Sequence, residues 1–566
     1  MTSIFFLTIL YIITRVIIIV MKKFRFRSVV AMASAKMSIK SAAIVLASST
    51  MISALLGLFR DRLLNSYYLG TYPTGIDAYT AAFTIPDFMF FILTSGALAV
   101  SFIPVFNERL IKGNKKSAWE MSTSLLNLLA LLTLITSVLI MIFADPLIRY
   151  IVSPGLDESG MVLAINMTRV IAINPFLFSI ATVLTSMQQA VGRFVFYAFA
   201  PAIYNIGIII GITWFTGGIN LFGVQIFDGG IMGVALGVIL GAVMQLIVAL
   251  IGLFGLGFDY EFKMYWKNQG FRTILKLLPP RSLDQGIDYV NSIVNTNLSS
   301  RMGAGAVRSF NQASSLHQMP ISLIGVAIST AFFPKLTEEL GTGDQNEFYN
   351  TFRQALRMIL WIAMPIAAIA FFTRGYVTSF VSNIGNNDQN GTIATVLGTL
   401  CIAIFARSIF HIASRGFYAY QDTKTPFRVS IVAIGLTIAL SVWFYFLGWG
   451  VDGLGLAQSL GAVVEIIILL AILQRRSKGK MLNREFWKIS FKMLFATIIT
   501  GCVAFSLTKF IPLMATDNSL VITVPKFLLI AFLSMLSYVV ASYFLDLDEV
   551  KPILSRLKKI LFRNVK

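Results

Sequence analysis

The feature that most constrains this chain is a succession of apolar runs, each long enough to cross a bilayer, joined by short polar loops from one end to the other. A helix of ~20 apolar residues covers ~30 Å of hydrocarbon, and a helix satisfies its own backbone polar groups. The chain is therefore expected to be an all-α polytopic membrane protein. Hydrophobic residues make up 57%, charged residues only 13%, and mean hydropathy is +0.78, values that exclude a soluble domain of 566 residues. About fifteen candidate spans are present.

The first run, Ser3–Met21, contains Arg15 and is followed by Lys22, Lys23, Arg25 and Arg27. A secretory signal carries its charges before the apolar stretch, so this order reads as an extra span or an N-terminal extension. Fourteen core spans follow, at 41–60, 78–104, 120–143, 163–187, 196–215, 231–255, 276–298, 312–333, 354–373, 392–412, 427–448, 453–473, 489–510 and 522–545. No connection is long enough to hold a soluble domain, so chemistry must occur within the membrane or at its edges, which points to transport.

A net charge of +20 invites a nucleic-acid reading, but its placement argues otherwise. Lys and Arg gather in loops 22–40, 105–119, 189–197, 259–277, 335–357, 413–428 and 474–488 and in the tail from Lys551. The alternating loops 67–77, 216–230 and 449–452 contain none. This is the positive-inside pattern, so the charge reports topology and contact with anionic membrane lipids, with both ends of the core cytoplasmic. Cys401 and Cys502 lie in apolar runs and suggest neither a disulfide nor a metal site.

Internal similarity suggests duplication. Ser101-Phe-Ile-Pro-Val-Phe106 recurs as Ala331-Phe-Phe-Pro-Lys-Leu336, and the basic turn before Pro201 recurs before Pro426, at offsets of about 230 and 225 residues. The expected organisation is an extension at 1–36, a six-span N-lobe at 37–258 and a six-span C-lobe at 259–474. Two accessory spans with a basic tail occupy 475–566. Two lobes of like topology place a transport site between them.

Ionisable residues inside spans are costly and therefore mark functional candidates. Arg60, Asp61 and Arg62 follow the apolar run 44–59. They read either as an interfacial cap, Asp61 pairing an arginine, or as a site where Arg60 meets an anionic headgroup, a guanidinium matching phosphate oxygens bidentately. Asp284, Asp288, Asn291 and Asn295 are spaced by four, three and four, so they share one helix face, with Asn297 nearby. Two carboxylates with amide oxygens suit Na⁺; a protonatable pair suits H⁺; interhelical hydrogen bonding is the plain alternative. No other cofactor is implied.

The loop Arg415-Gly-Phe-Tyr-Ala-Tyr-Gln-Asp-Thr-Lys-Thr-Pro426, with Arg415, Asp422, Lys424 and Pro426, resembles the loop between spans ten and eleven of the MurJ (MviN) lipid II flippases, in the MOP exporter superfamily. Ser53-Ala-Leu-Leu-Gly-Leu-Phe-Arg-Asp61, Gly75-Ile-Asp-Ala-Tyr79, Phe83-Thr-Ile-Pro-Asp87, Ser95-Gly-Ala97 and Phe102-Ile-Pro104 are similar to the family's opening spans in order and spacing. Ala198–Pro201 with Asn205, and Pro320 to Pro334, match spans five and eight. In the family the chain begins near Met37.

The resemblance implies a MOP-like fold and a transporter, not an enzyme. It would move the undecaprenyl-pyrophosphate-linked peptidoglycan precursor across the bacterial cytoplasmic membrane by alternating access, in cell-wall biogenesis and alongside the cell-wall synthesis machinery. It also favours Asp77 as a site residue, a sodium site at span seven and a tail groove at the last two spans. The family's cavity arginines fall here on Ala54, Phe90 and Ser315, Arg60 alone retaining its charge; Arg281, Arg301, Arg407 and His411 are the candidate replacements. The rival readings are an exporter of another lipid-linked oligosaccharide or of drugs, and, in a different class, a polyprenyl-donor glycosyltransferase or ligase, for which the external loops are short.

Overall fold

The computed structural model describes residues 39–95, 102–221, 224–258, 260–382, 387–514, 517, 519–551 and 555; the expected span at 3–21 lies outside them. Helices run as α1 (Ile39–Tyr68), α2 (Pro73–Ala82), α3 (Thr84–Phe90), α4 (Ile103–Ile111), α5 (Lys115–Pro146), α6 (Glu158–Ile171), α7 (Asn174–Ala190), α8 (Val195–Thr213) and α9 (Met232–Ile251). They continue as α10 (Gln269–Ser300), α11 (Ala306–Ile321), α12 (Ala327–Gly341), α13 (Gln345–Phe372), α14 (Arg374–Thr378) and α15 (Asn387–Ala419). The last are α16 (Lys424–Phe446), α17 (Gly450–Arg476), α18 (Arg484–Phe510) and α19 (Leu520–Phe544). Short π-helical turns, Phe91–Ser95, Leu147–Val152 and Ser322–Val326, extend α3, extend α5 and join α11 to α12.

Thirteen helical stretches among the described residues are long and apolar enough to cross a membrane, and the chain is a multi-pass membrane protein. They coincide with thirteen of the fourteen expected core spans. The seventh, 276–298, is covered by the 32-residue α10, whose side chains at 277–285, 287 and 288 are not described. Where helices begin at polar residues, side chains close the first turn: Asn114 Oδ1 accepts from Ser117 N at 3.0 Å, Asp344 Oδ1 from Glu347 N at 3.1 Å, and Asn483 Oδ1 from Phe486 N at 2.9 Å. The loop 216–230 is more ordered than its sequence suggests. It folds into an antiparallel hairpin, Ile219–Leu221 with Val224–Phe227, in register Asn220 to Gln225.

Two compact units form. The first holds residues through Arg60, Ala82–Arg149 and Val162–Tyr289; the second holds Asp61–Ala81, Tyr150–Met161 and Val290 onward. The first is built round Phe102, Phe106, Met121, Leu125, Leu184 and Phe271. Within it α8 and α9 meet along a glycine seam: a Cβ on Gly207 would lie 2.3 Å from Gly241 Cα, and one on Gly237 2.5 Å from Gly211 Cα. Small residues let these backbones touch, which is how helices associate where lipid removes the hydrophobic drive. The core of the second unit gathers Leu336, Phe348, Phe352, Phe417, Met481 and Tyr538.

Candidate functional site

Helix α1 does not stop at residue 60, where its apolar run ends, but continues to Tyr68. The Arg60-Asp61-Arg62 cluster is therefore inside a helix rather than at its cap. In the second unit, Asp61 faces α11 and its two oxygens accept from Arg308 Nη2 at 3.1 Å and Gln312 Nε2 at 3.2 Å. Arg308 is only 4% exposed, and its Nε donates to Asn65 Oδ1 at 2.8 Å, one turn further along α1. Asn65 in turn donates to Val381 O at 2.6 Å, and Arg62 to Ser379 O.

Asp77, 1% exposed on α2, closes the same network from the other side. Its oxygens accept from Gly305 N at 2.6 Å and Arg308 N at 2.7 Å. These are orphan amides at the start of α11, and Gly305 takes the left-handed φ of 85° that turns the chain into the helix. Asp61 and Asp77 thus grip α11 by a side chain and by its first turn, forming a buried network in which each charge has an opposite charge or several amide donors.

In the first unit, Arg60 Nη1 donates to Asn205 Oδ1 at 2.9 Å, and Asn205 donates back to Ser53 O at 3.2 Å, so Arg60 is oriented by α8. Ala54 is exposed, Phe90 packs edge-on against Phe178 with centroids 5.6 Å apart, and exposed Ser315 returns its hydroxyl to Asn311 O at 3.0 Å.

Of the residues expected to replace the cavity arginines, Arg407 donates from Nη1 to Glu465 Oε2 at 3.0 Å. Arg301 bonds Asn297 Oδ1 at 3.2 Å, and His411 lies against Gly325. The side chains of Arg281, Asp284 and Asp288 lie outside the described residues. Asn291 and Asn295 are buried in the second unit, and the Oδ1 of each has no hydrogen-bond partner among the described residues, two amide oxygens one turn apart on α10.

The expected 415–426 loop is mostly helical: residues 415–419 are the end of α15 and 424–426 the first turn of α16, so only 420–423 turn the chain, and that turn is tightly made. Asp422 accepts from Thr425 N at 3.0 Å, Thr425 Oγ1 at 2.8 Å and Arg476 Nη2 at 2.6 Å. Burial pushes its carboxyl up, but Arg476 and Thr425 outweigh this and hold it below the ordinary carboxylate range. Arg415 stacks on Phe333 at 4.9 Å, Lys424 is exposed, and Pro426 is buried in the first turn of α16.

Two charged residues escaped the sequence reading. Arg308 fell outside a span expected to begin at 312, although Gly303 and Gly305 mark the turn that starts α11 earlier. Glu465, 1% exposed in α17, is an acid inside a span, a signal open to the same reasoning as Asp284 and Asp288.

Residues 65–525 match the family profile described as "Lipid II flippase MurJ". The chain is 26% identical over 462 residues to a probable lipid II flippase MurJ of Buchnera aphidicola subsp. Acyrthosiphon pisum, covering 81% of this chain and 88% of that protein. It is 27% identical over 452 residues to the lipid II flippase MurJ of Burkholderia cenocepacia, covering 78% and 84%. Its fold is similar to a solved structure of the lipid II flippase MurJ in an inward closed conformation, with a TM-score of 0.68, 21% identity, and 92% and 99% of the two chains covered. An inward-facing MATE multidrug transporter of the MOP superfamily also superposes, with a TM-score of 0.64, 18% identity, and 77% and 98% covered. These matches disfavour the glycosyltransferase and ligase reading. A profile match over most of the chain, on an all-α MOP-type fold, shows that this protein belongs to the MurJ lipid II flippase family of transporters.

Proposed function

We propose that the protein carries lipid II, the polyprenyl-pyrophosphate-linked peptidoglycan precursor, from the inner to the outer leaflet of the bacterial cytoplasmic membrane. The observation that carries this reading is the family match across 65–525, which takes in Asn65, Asp77 and Arg308 of the α1–α11 network and the 415–426 segment. The basic loops and both core ends face the cytoplasm, as the charge asymmetry favours. Transport proceeds by alternating access. Arg60, held by Asn205, meets the headgroup; Asp61 and Asp77 hold α11 in register. Asn291 and Asn295, with Asp284 and Asp288, take the coupling cation: the amide oxygens, which have no partner among the described residues, suit Na⁺, and the carboxylates suit Na⁺ or H⁺. Anionic lipids and the cell-wall synthesis machinery are its expected surroundings.

The test is rescue. In bacteria depleted of their own flippase, expression of this chain is expected to restore growth and outer-face lipid II. A stably inserted protein that restores neither sinks the reading. A second reading, export of another lipid-linked oligosaccharide or of a drug, is favoured only by Ala54, Phe90 and Ser315 standing where the family carries arginines, and competition by such compounds in the same cells would reveal it.

A further inference from the structure

Within the second unit, three membrane helices converge on one buried acid. Glu465 of α17 accepts from Arg407 Nη1 of α15 at 3.0 Å and from Ser430 Oγ of α16 at 2.6 Å. Arg407 stands about 18 Å of helical rise from Ala419, deep in the span. Its side chain is 23% exposed, whereas that of Glu465 is 1% exposed. Nη1 is thus fastened inside the protein, while Nε and the other terminal nitrogen make no hydrogen bond with any described residue and are not sealed from the surface. A guanidinium presents five donors in a rigid fork. One edge here is spent on Glu465 and the other is left open.

A membrane arginine whose role was only to join α15 to α17 would be expected to bring both edges inside, as Arg308 does with Asn65 and Asp61. Arg407 is held but not consumed. Arg415 follows it eight residues on, about two turns along α15, so a second arginine lies toward the loop end of the helix. Ser430 restrains the second oxygen of Glu465, which fixes the carboxylate and through it the direction of the fork.

We propose that Arg407 is an anion-binding residue for the phosphoryl group of the transported lipid, and that Glu465 is the residue that positions it. The inference rests on the flippase reading and deepens it: it puts a headgroup cation on α15, in a chain where Ala54, Phe90 and Ser315 have given up theirs. A phosphoryl ligand fits because its oxygens accept two parallel N–H donors, which an ammonium could not supply in that geometry. The phosphate of a bulk anionic phospholipid has the same chemistry, so the test must separate the two sources.

The experiment uses the full-length protein in nanodiscs of neutral lipid. Three probes are titrated: a polyprenyl pyrophosphate, the uncharged polyprenol and phosphatidylglycerol. Wild type is expected to prefer the pyrophosphate over both. The exchanged pair Arg407→Glu with Glu465→Arg keeps an ion pair between α15 and α17 but moves the cation. It is expected to melt near wild type and to bind the pyrophosphate about tenfold or more weakly. Should the exchange not fold, Arg407→Lys retains the charge and lacks the fork, and the same loss is expected. Glu465→Asp is expected to recover binding relative to Glu465→Gln. Unchanged pyrophosphate affinity in the folded exchange or in Arg407→Lys overturns the inference and leaves the flippase reading standing. Equal binding of phosphatidylglycerol by wild type overturns the substrate assignment of the site. No preference for pyrophosphate over polyprenol in wild type sinks both readings.

Discussion

At the scale of single residues, charge in this protein is placed by pairing. Arg308 has its guanidinium divided between Asp61 and Asn65 while its backbone amide is taken by Asp77. Removing one partner leaves the others largely buried without their charge or donor. Arg308→Ala is expected to lower stability by about 3–5 kcal/mol, read as a lower midpoint of thermal unfolding in detergent; Arg308→Ala combined with Asp61→Ala is expected to recover part of the loss. A midpoint unchanged in the single variant would remove the network from the stability of the second unit. Asp422 gives a pH-dependent counterpart. Its carboxyl lies below the ordinary value in the folded loop, so its contribution is fully present above about pH 4 and is lost as pH falls through the folded value. Acid is expected to loosen the loop around Thr425 and Arg476, seen as faster proteolysis there, and Asp422→Asn is expected to show that looseness at neutral pH with little further change on acidification.

At the scale of elements, the helices divide into those that hydropathy reveals and those it misplaces. Runs such as 231–255 and 427–448 announce α9 and α16 because they are apolar over nearly their whole length. The end of α1 and the start of α11 were not legible, because their polar residues look like loop until their partners are known. Asp61 and Arg308 are far apart in sequence, and no local period links them. Glycine is informative where backbones touch. The structure brings the backbones of Gly207 and Gly211 against Gly237 and Gly241, a packing seam the sequence reading did not single out. Gly237→Leu is expected to force α8 from α9 and cost about 1–3 kcal/mol or more, measured as lost thermal stability, while Gly435→Leu, which meets no neighbouring atom within 4 Å, is expected to be mild. Equal effects of the two would contradict the seam. Gly325, whose Cβ would lie 2.7 Å from Ser408 Cα beside the π turn of the α11–α12 span, is a second point of close approach.

At the scale of the whole molecule, the sequence carried the fold class, the membrane setting and the family, since those depend on span number, loop charge and ordered motifs. It carried the site less well. Asp61 and Asp77 were singled out, yet the helix they hold could not be named, and Glu465 was passed over inside an apolar span. The difference is physical: spans are written in local composition, whereas a polar network is written in contacts between distant segments. What unites the scales is a claim about transport. The measurement that tests it most directly is flipping of lipid II by the purified full-length chain in liposomes, scored by access of an external enzyme to precursor first confined to one leaflet. Protein-dependent exposure of lipid II, reduced by Arg407→Lys, is the predicted result. Liposomes in which the inserted, folded protein exposes no more lipid II than empty ones, across imposed Na⁺, H⁺ and voltage gradients, would contradict it.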